Sequence, residues 1–270
     1  MKTAFMVLRN GVRLGYPFVE AILSALPTVD SFMVVDCGSD DGTGDVLERI
    51  SGLNGKVHIR TAVWPPPSPG GSSIAVATNA AMRMISATWP DAGPLFYVQA
   101  DEVYHESDMT TLEMLLDAGR PASVRFLHFR NGFDRRILNP TYDRAVRIID
   151  HGARSIQDGY SFDVRGAVPS AATVYHVGWC FPRQVCNKHI NHCVLYPGSA
   201  NYVRARNLCM RMLKEGRYDA DRLCREVDAD YRFGKVDPST LPAVLKHLLD
   251  LDEYDGNRSV DVLSGRIREA

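Results

Sequence analysis

The sequence predicts an α/β protein built on an open, mostly parallel sheet with helices on both faces. Three observations predict it. Short apolar runs alternate with segments of helical period through the first 120 residues. Two of those runs, ending near Val35 and Gln99, give way abruptly to acidic turns, where an open α/β sheet receives a nucleotide. The chain has 270 residues, 45% of them hydrophobic, enough for one substantial core with or without a smaller appendage.

Thr3 to Leu8 reads as the first strand. Phe18, Ile22 and Leu26 follow at helical spacing until Pro27 stops them. Ser31 to Val35 is a second, fully buried strand, and Asp45 to Ile50 a short helix ending at Ser51-Gly52. Val57 to Ala62 gives a third strand. The stretch from Trp64 to Ser73 is too rich in proline and glycine for regular structure and is expected to be a loop at the ligand-binding edge. Ala77, Ala81, Met84 and Ile85 place a helix over Ile74 to Thr88, closed by Trp89-Pro90. Leu95 to Gln99 is the fourth strand, and an acidic turn runs from Gln99 to Asp108. The helix beyond it is capped by Ser107 or Asp108 and stops at Gly119.

After Pro121 the pattern changes. Ser123 to Phe129, Ala145 to Ile149 and Thr173 to His176 read as strands between polar, arginine-rich turns, which suits a mixed or antiparallel extension. Tyr202 to Lys214, Ala220 to Val227 and Leu241 to Leu249 read as helices, and the charged residues from Asp252 onward as a fraying end.

A net charge of −1 gives no global footprint for nucleic acid or anionic membrane, so affinity must come from a local site. No apolar run is long enough to span a bilayer, and no signal-peptide pattern is read at the amino terminus, which predicts a cytoplasmic protein. The six cysteines are expected to be reduced. His176, Cys180, Cys186, His189, His192 and Cys193 lie close in sequence. Without a paired C-x-x-C they read as buried thiols and helix-surface histidines before they read as a zinc site.

The acidic turns carry the chemistry. Asp36 and Asp101 would converge on one cleft if their strands are near neighbours. A carboxylate facing a base or ribose accepts hydrogen bonds, whereas one facing a diphosphate needs a hard cation between them. Asp101, with Glu102 beside it, is thus the expected ligand for Mg²⁺ or Mn²⁺. The competing reading is that both aspartates only cap helices.

VVDCGSDDGT, within Phe32 to Thr43, resembles the VVDxGSxDGT segment of family-two glycosyltransferases, and QAD at residues 99–101 stands where that family has D-x-D. FLHFRNGFD, YDRAVRIID, SIQDGYSF, VYHVGW and YRFGKVDPSTLPAVL look like further ordered segments of a bacterial and phage-type branch. The resemblance implies a GT-A fold, Rossmann-like in its sheet. It implies a transferase domain over residues 1–195, with a nucleotide-sugar half (1–120) and an acceptor half (121–195), and a helical extension (196–270) packed on it. It further implies that Asp36, Gly38, Ser39, Asn79, Gln99, Ala100 and Asp101 bind a nucleoside-diphosphate sugar, and that His176 reaches the metal or the diphosphate. Gln99 departs from the pattern, leaving the metal to Asp101 and ligands from elsewhere.

Inverting transfer needs a base for the acceptor hydroxyl. Asp158, in a glycine-containing turn and at the acidic position of the family segment, is the first candidate, and Asp163 the second. Lys188 and Arg183 are expected on a loop and would neutralise the leaving diphosphate if that loop folds over it, and Trp179 would stack on a sugar. The acceptor is left open among glycan, small molecule and modified nucleic acid, including a modified base in DNA. A non-catalytic nucleotide-sugar binder and a methyltransferase using S-adenosylmethionine are the other readings. The latter fits poorly, because Ser39-Asp40-Asp41 stand where its loop wants glycines and the second acidic turn has no role in it.

Overall fold

The computed structural model describes residues 1–270, the side chain of Pro69 excepted. In the first half the elements are β1 (Thr3–Leu8), α1 (Gly11–Leu14), α2 (Phe18–Ala25), β2 (Ser31–Asp36), α3 (Thr43–Leu53), β3 (Val57–Thr61), α4 (Ser72–Thr88), β4 (Leu95–Tyr97), β5 (Glu102–Tyr104) and α5 (Met109–Asp117). Then come β6 (Ala122–His128), β7 (Arg135–Ile137), β8 (Arg144–Ile149), β9 (Ser155–Ile156), β10 (Ser161–Phe162) and β11 (Val168–His176). The last third holds α6 (Pro182–Leu195), α7 (Ala200–Glu215), α8 (Ala220–Glu226), β12 (Phe233–Lys235) and α9 (Gly256–Glu269).

Eight strands form one sheet in the order β3-β2-β1-β4-β8-β6-β11-β5. β3, β2, β1 and β4 are mutually parallel; β8 runs against both β4 and β6; β11 is parallel to β6, and β5 runs against β11. Six of the eight strands therefore point the same way, and the carboxyl ends of β1, β2, β4, β6 and β11 share one edge. This is the predicted α/β architecture, consistent with a GT-A-like fold.

Strand side chains alternate between two buried faces, as a sheet covered on both sides requires. Ala4, Met6, Phe32 and Val34 point into the larger core, with α2, α3, α5 and α9. Phe5, Met33 and Val35 point into the smaller one, with Ala77, Ala81 and Ile85 of α4 and with Phe162 of the β9–β10 hairpin. A third cluster joins α6, α7 and α8 through Val185, Cys186, Leu208, Cys209, Met212 and Leu223.

Four sequence expectations are corrected. The carboxyl end does not fray: Asp255 caps α9, and Val260, Leu263 and Ile267 fall on one helix face and bury it. Leu241 to Leu249 is not an α-helix but a run of 3₁₀ turns at Ala243–Leu248, entered through Pro242. The segment around Arg183 and Lys188 is not a loop but α6, begun by Pro182 in its first turn, where a missing N–H costs nothing. Part of the second acidic turn, Glu102–Tyr104, is the edge strand β5.

Candidate active site

A cavity of about 790 Å³ opens at the carboxyl-terminal strand edge. Its wall is made by residues that follow β1, β4, β6 and β11, by the Asp158 turn, and by α6 and the start of α7. It sits where strand order reverses, with β1 flanked by β2 on one side and β4 on the other.

Asp101 is at its floor, buried, in the turn that joins β4 to β5. Oδ2 of Asp101 accepts from the Lys188 ammonium at 2.8 Å and lies 3.3 Å from Nε2 of His176. Burial would raise the carboxyl's pKa, but Lys188 and His176 outweigh it and hold Asp101 well below the usual carboxylate range. Lys188 also donates to the carbonyl of Gly178 at 3.1 Å, and its ammonium lies over the rings of Trp179 and Tyr16. Gly178 packs so closely against this pair that a Cβ there would overlap both Asp101 Oδ2 and Lys188 Nζ.

His176 is one link in a chain. Nδ1 of His176 meets Nδ1 of His128 at 3.0 Å, and Nε2 of His128 meets the carbonyl of Tyr142 at 2.9 Å. A carbonyl only accepts, so His128 carries its proton on Nε2. Burial first, and repulsion from His176 second, push the His128 pKa down to about 3, so its Nδ1 is a bare acceptor near neutral pH. Nδ1 of His176 must then be the donor between the two rings. Its Nε2 lies on the Asp101 side of the ring, 3.3 Å from Oδ2.

Asp158 faces the same cavity from the β9–β10 turn. Its Oδ2 accepts from the Tyr196 hydroxyl at 3.1 Å, and Oδ1 has a long 3.4 Å contact to the Tyr160 N–H. Burial and then Asp158 itself push the Tyr196 pKa far up, which keeps that hydroxyl a donor. Tyr196 and Tyr202 stack on one another, as do Tyr142 and Tyr160, so stacked aromatic pairs line the cavity. Gly159, at φ +80°, is pressed against Ile74, and only glycine suits both conditions.

Gln99 and Ala100 line the cavity beside Asp101, and Nε2 of Gln99 donates to the Tyr97 hydroxyl at 3.3 Å. Asp36, Gly38 and Ser39 are not among the residues that line it, and Asp36 and Ser39 brace one that does. Oδ1 of Asp36 accepts from the N–H and hydroxyl of Ser39, and Oγ of Ser39 accepts from the N–H of Asn10 at 2.8 Å. Asn10 and its neighbours Arg9 and Arg13 reach the wall. Asn79 is spent on both backbone groups of Ser155, tying α4 to β9 outside the cavity. Asp163 is exposed and caps the N–H of Arg154. Arg183 pairs with Glu253 away from the cavity. Glu102 is fully buried in a two-bond pair with Arg147, at 2.6 and 2.8 Å, and turns away from any cation at Asp101.

Among the described residues no three His, Cys, Asp or Glu side chains gather where they could hold a metal ion. Asp101 and His176, expected as metal ligands, are adjacent. Oδ2 of Asp101 is already shared with the Lys188 ammonium, and among the described residues no third such side chain joins the two. This donor set does not fit a resident divalent cation. His189, read as a helix-surface residue, is buried against Arg130 and Trp179. Arg130 forks onto Asp228 at 2.8 and 2.5 Å, a buried pair that no sequence spacing announced.

No protein-family model matches the chain, and no curated protein matches it significantly. Among solved structures, the chain is similar to those of S. aureus TarS. TarS 1-349 shares 11% identity at TM-score 0.37, over 100% of this chain and 90% of that one. Its complex with UDP shares 12% at 0.37, over 100% and 90%, and its complex with UDP-GlcNAc 11% at 0.38, over 100% and 91%.

Proposed function

We propose that the chain is a glycosyltransferase that takes a sugar from a nucleoside diphosphate and passes it, with inversion, to an acceptor hydroxyl. One observation carries the reading. A single cavity at the carboxyl ends of parallel strands presents Asp101, paired with Lys188 on its floor, and Asp158, on a turn beside stacked aromatic rings. The first arrangement suits a diphosphate, and the second suits a sugar ring and a hydroxyl to be deprotonated.

The bonds balance as follows. The acceptor oxygen attacks the anomeric carbon from the side opposite the diphosphate. Its proton passes to Oδ1 of Asp158, while Tyr196 holds Oδ2. The bond from the anomeric carbon to the diphosphate oxygen breaks, and its electron pair leaves with the nucleoside diphosphate.

The test is release of nucleoside diphosphate from a panel of UDP-, GDP-, CDP- and dTDP-sugars offered with a glycan array. Turnover with one donor class is expected. Asp158→Asn should lower kcat by roughly 10²–10⁴-fold and leave donor affinity intact. Donor binding without any turnover would make the chain a sugar-nucleotide binder instead.

A further inference from the structure

The floor of the cavity provides its own cation. Lys188 is 3% exposed, and its ammonium sits 2.8 Å from Oδ2 of Asp101. The two side chains are both buried and in ion-pair contact. A divalent ion settling on Asp101 would come within a few ångströms of that ammonium. Glu102 is spent on Arg147, and Gln99 offers an uncharged amide. Nε2 of His176 stands 3.3 Å from Oδ2 of Asp101, and Asp101 with His176 falls short of the roughly six to eight or octahedral ligand set a hard divalent cation takes.

We propose that Lys188, seated on Asp101 and Gly178, takes the place of a divalent cation, and that the chain binds its diphosphate without metal. This rests on the glycosyltransferase reading above. An ammonium is a compact charge with three donors. Two of these are engaged by Asp101 and Gly178, and the third is left toward the ring-lined wall. Arg9, just after β1, lines the same cavity and adds to its positive charge, while Arg13, which also lines it, is paired with Asp40. Gly178 belongs to the device, since any side chain there would part Lys188 from Asp101. The role assigned to Asp101 changes with it: the carboxylate orients a fixed cation and does not recruit a mobile one.

The experiment is calorimetric titration of UDP, GDP, CDP and dTDP into metal-stripped protein, in EDTA and again in Mn²⁺. One nucleotide is expected to bind with a Kd that differs by no more than about threefold between the two conditions. Lys188→Met should weaken it by at least about tenfold, the loss typical of a hydrogen bond to a charged group, and Lys188→Arg by less. Affinity that appears only with Mn²⁺ would overturn the inference and leave the glycosyltransferase reading standing. Failure of all four nucleotides in both buffers would remove that reading, and the inference with it. The wild-type comparison decides the matter even if Lys188→Met does not fold.

Discussion

At the scale of single residues, the site turns on positions whose partners are remote in sequence. Asp101 was legible, because an acidic turn after an apolar strand announces itself. Its partner Lys188 lies 87 residues on, and nothing in the spacing joins them. Asp36 was legible as a residue of the acidic strand edge, whereas its hydrogen bonds to Ser39, and through Ser39 to Asn10, were not. Arg9 and Asn10 follow β1 directly beyond Leu8, which pairs with Asp36 at the end of β2, and that parallel was a readable signal for two wall residues. Gly178 is the sharpest residue-scale test. Gly178→Ala puts a methyl where Asp101 and Lys188 meet, and the expected cost is about 1–3 kcal/mol of stability. Nucleotide affinity should fall with it, read by urea denaturation and calorimetry on the same sample.

Elements were legible where their buried faces are apolar and obscure where they are polar. β2 reads at once from Met33-Val34-Val35. α6 does not, because its buried face includes Gln184, Cys186, Lys188 and His189, a pattern that hydrophobic periodicity scores as loop. The signal for α9 was present in Val260, Leu263 and Ile267, three and seven residues apart, under a heavily charged surface. Leu263→Ala should therefore cost about 2–5 kcal/mol, measured as a shift in the urea midpoint, where a frayed tail would show no change. Between elements, Arg147 on β8 ties Glu102 at the start of β5 to the carbonyl of Tyr160, beside the Asp158 turn. Arg147→Met leaves Glu102 buried and unpaired, a loss of about 3–5 kcal/mol. The double variant Glu102→Gln/Arg147→Met should recover part of it in a double-mutant cycle.

For the whole molecule, the buried histidines set the response to acid. His128 and His189 both have pKa values pushed down to about 3, chiefly by burial, with charge repulsion from His176 for the first and from Arg130 for the second. In the unfolded chain each returns to about 6.5. Between those values the unfolded state binds more protons than the folded one, so stability is complete above pH 6.5 and falls as pH drops toward 3. Each histidine adds a slope of roughly 1.4 kcal/mol per pH unit within that window. Urea midpoints at pH 7.5, 6 and 5 should decline accordingly, and His128→Phe should flatten the curve. The sheet order has a kinetic consequence as well. β5, which follows Asp101 directly, has β11 as its one neighbour in the sheet, and their paired residues, such as Tyr104 and Val174, stand 70 positions apart. Such a long loop closes slowly, after the local β-α units have formed. On refolding from urea, helical ellipticity should return first, and the capacity to bind nucleotide should lag behind it as the last event to complete.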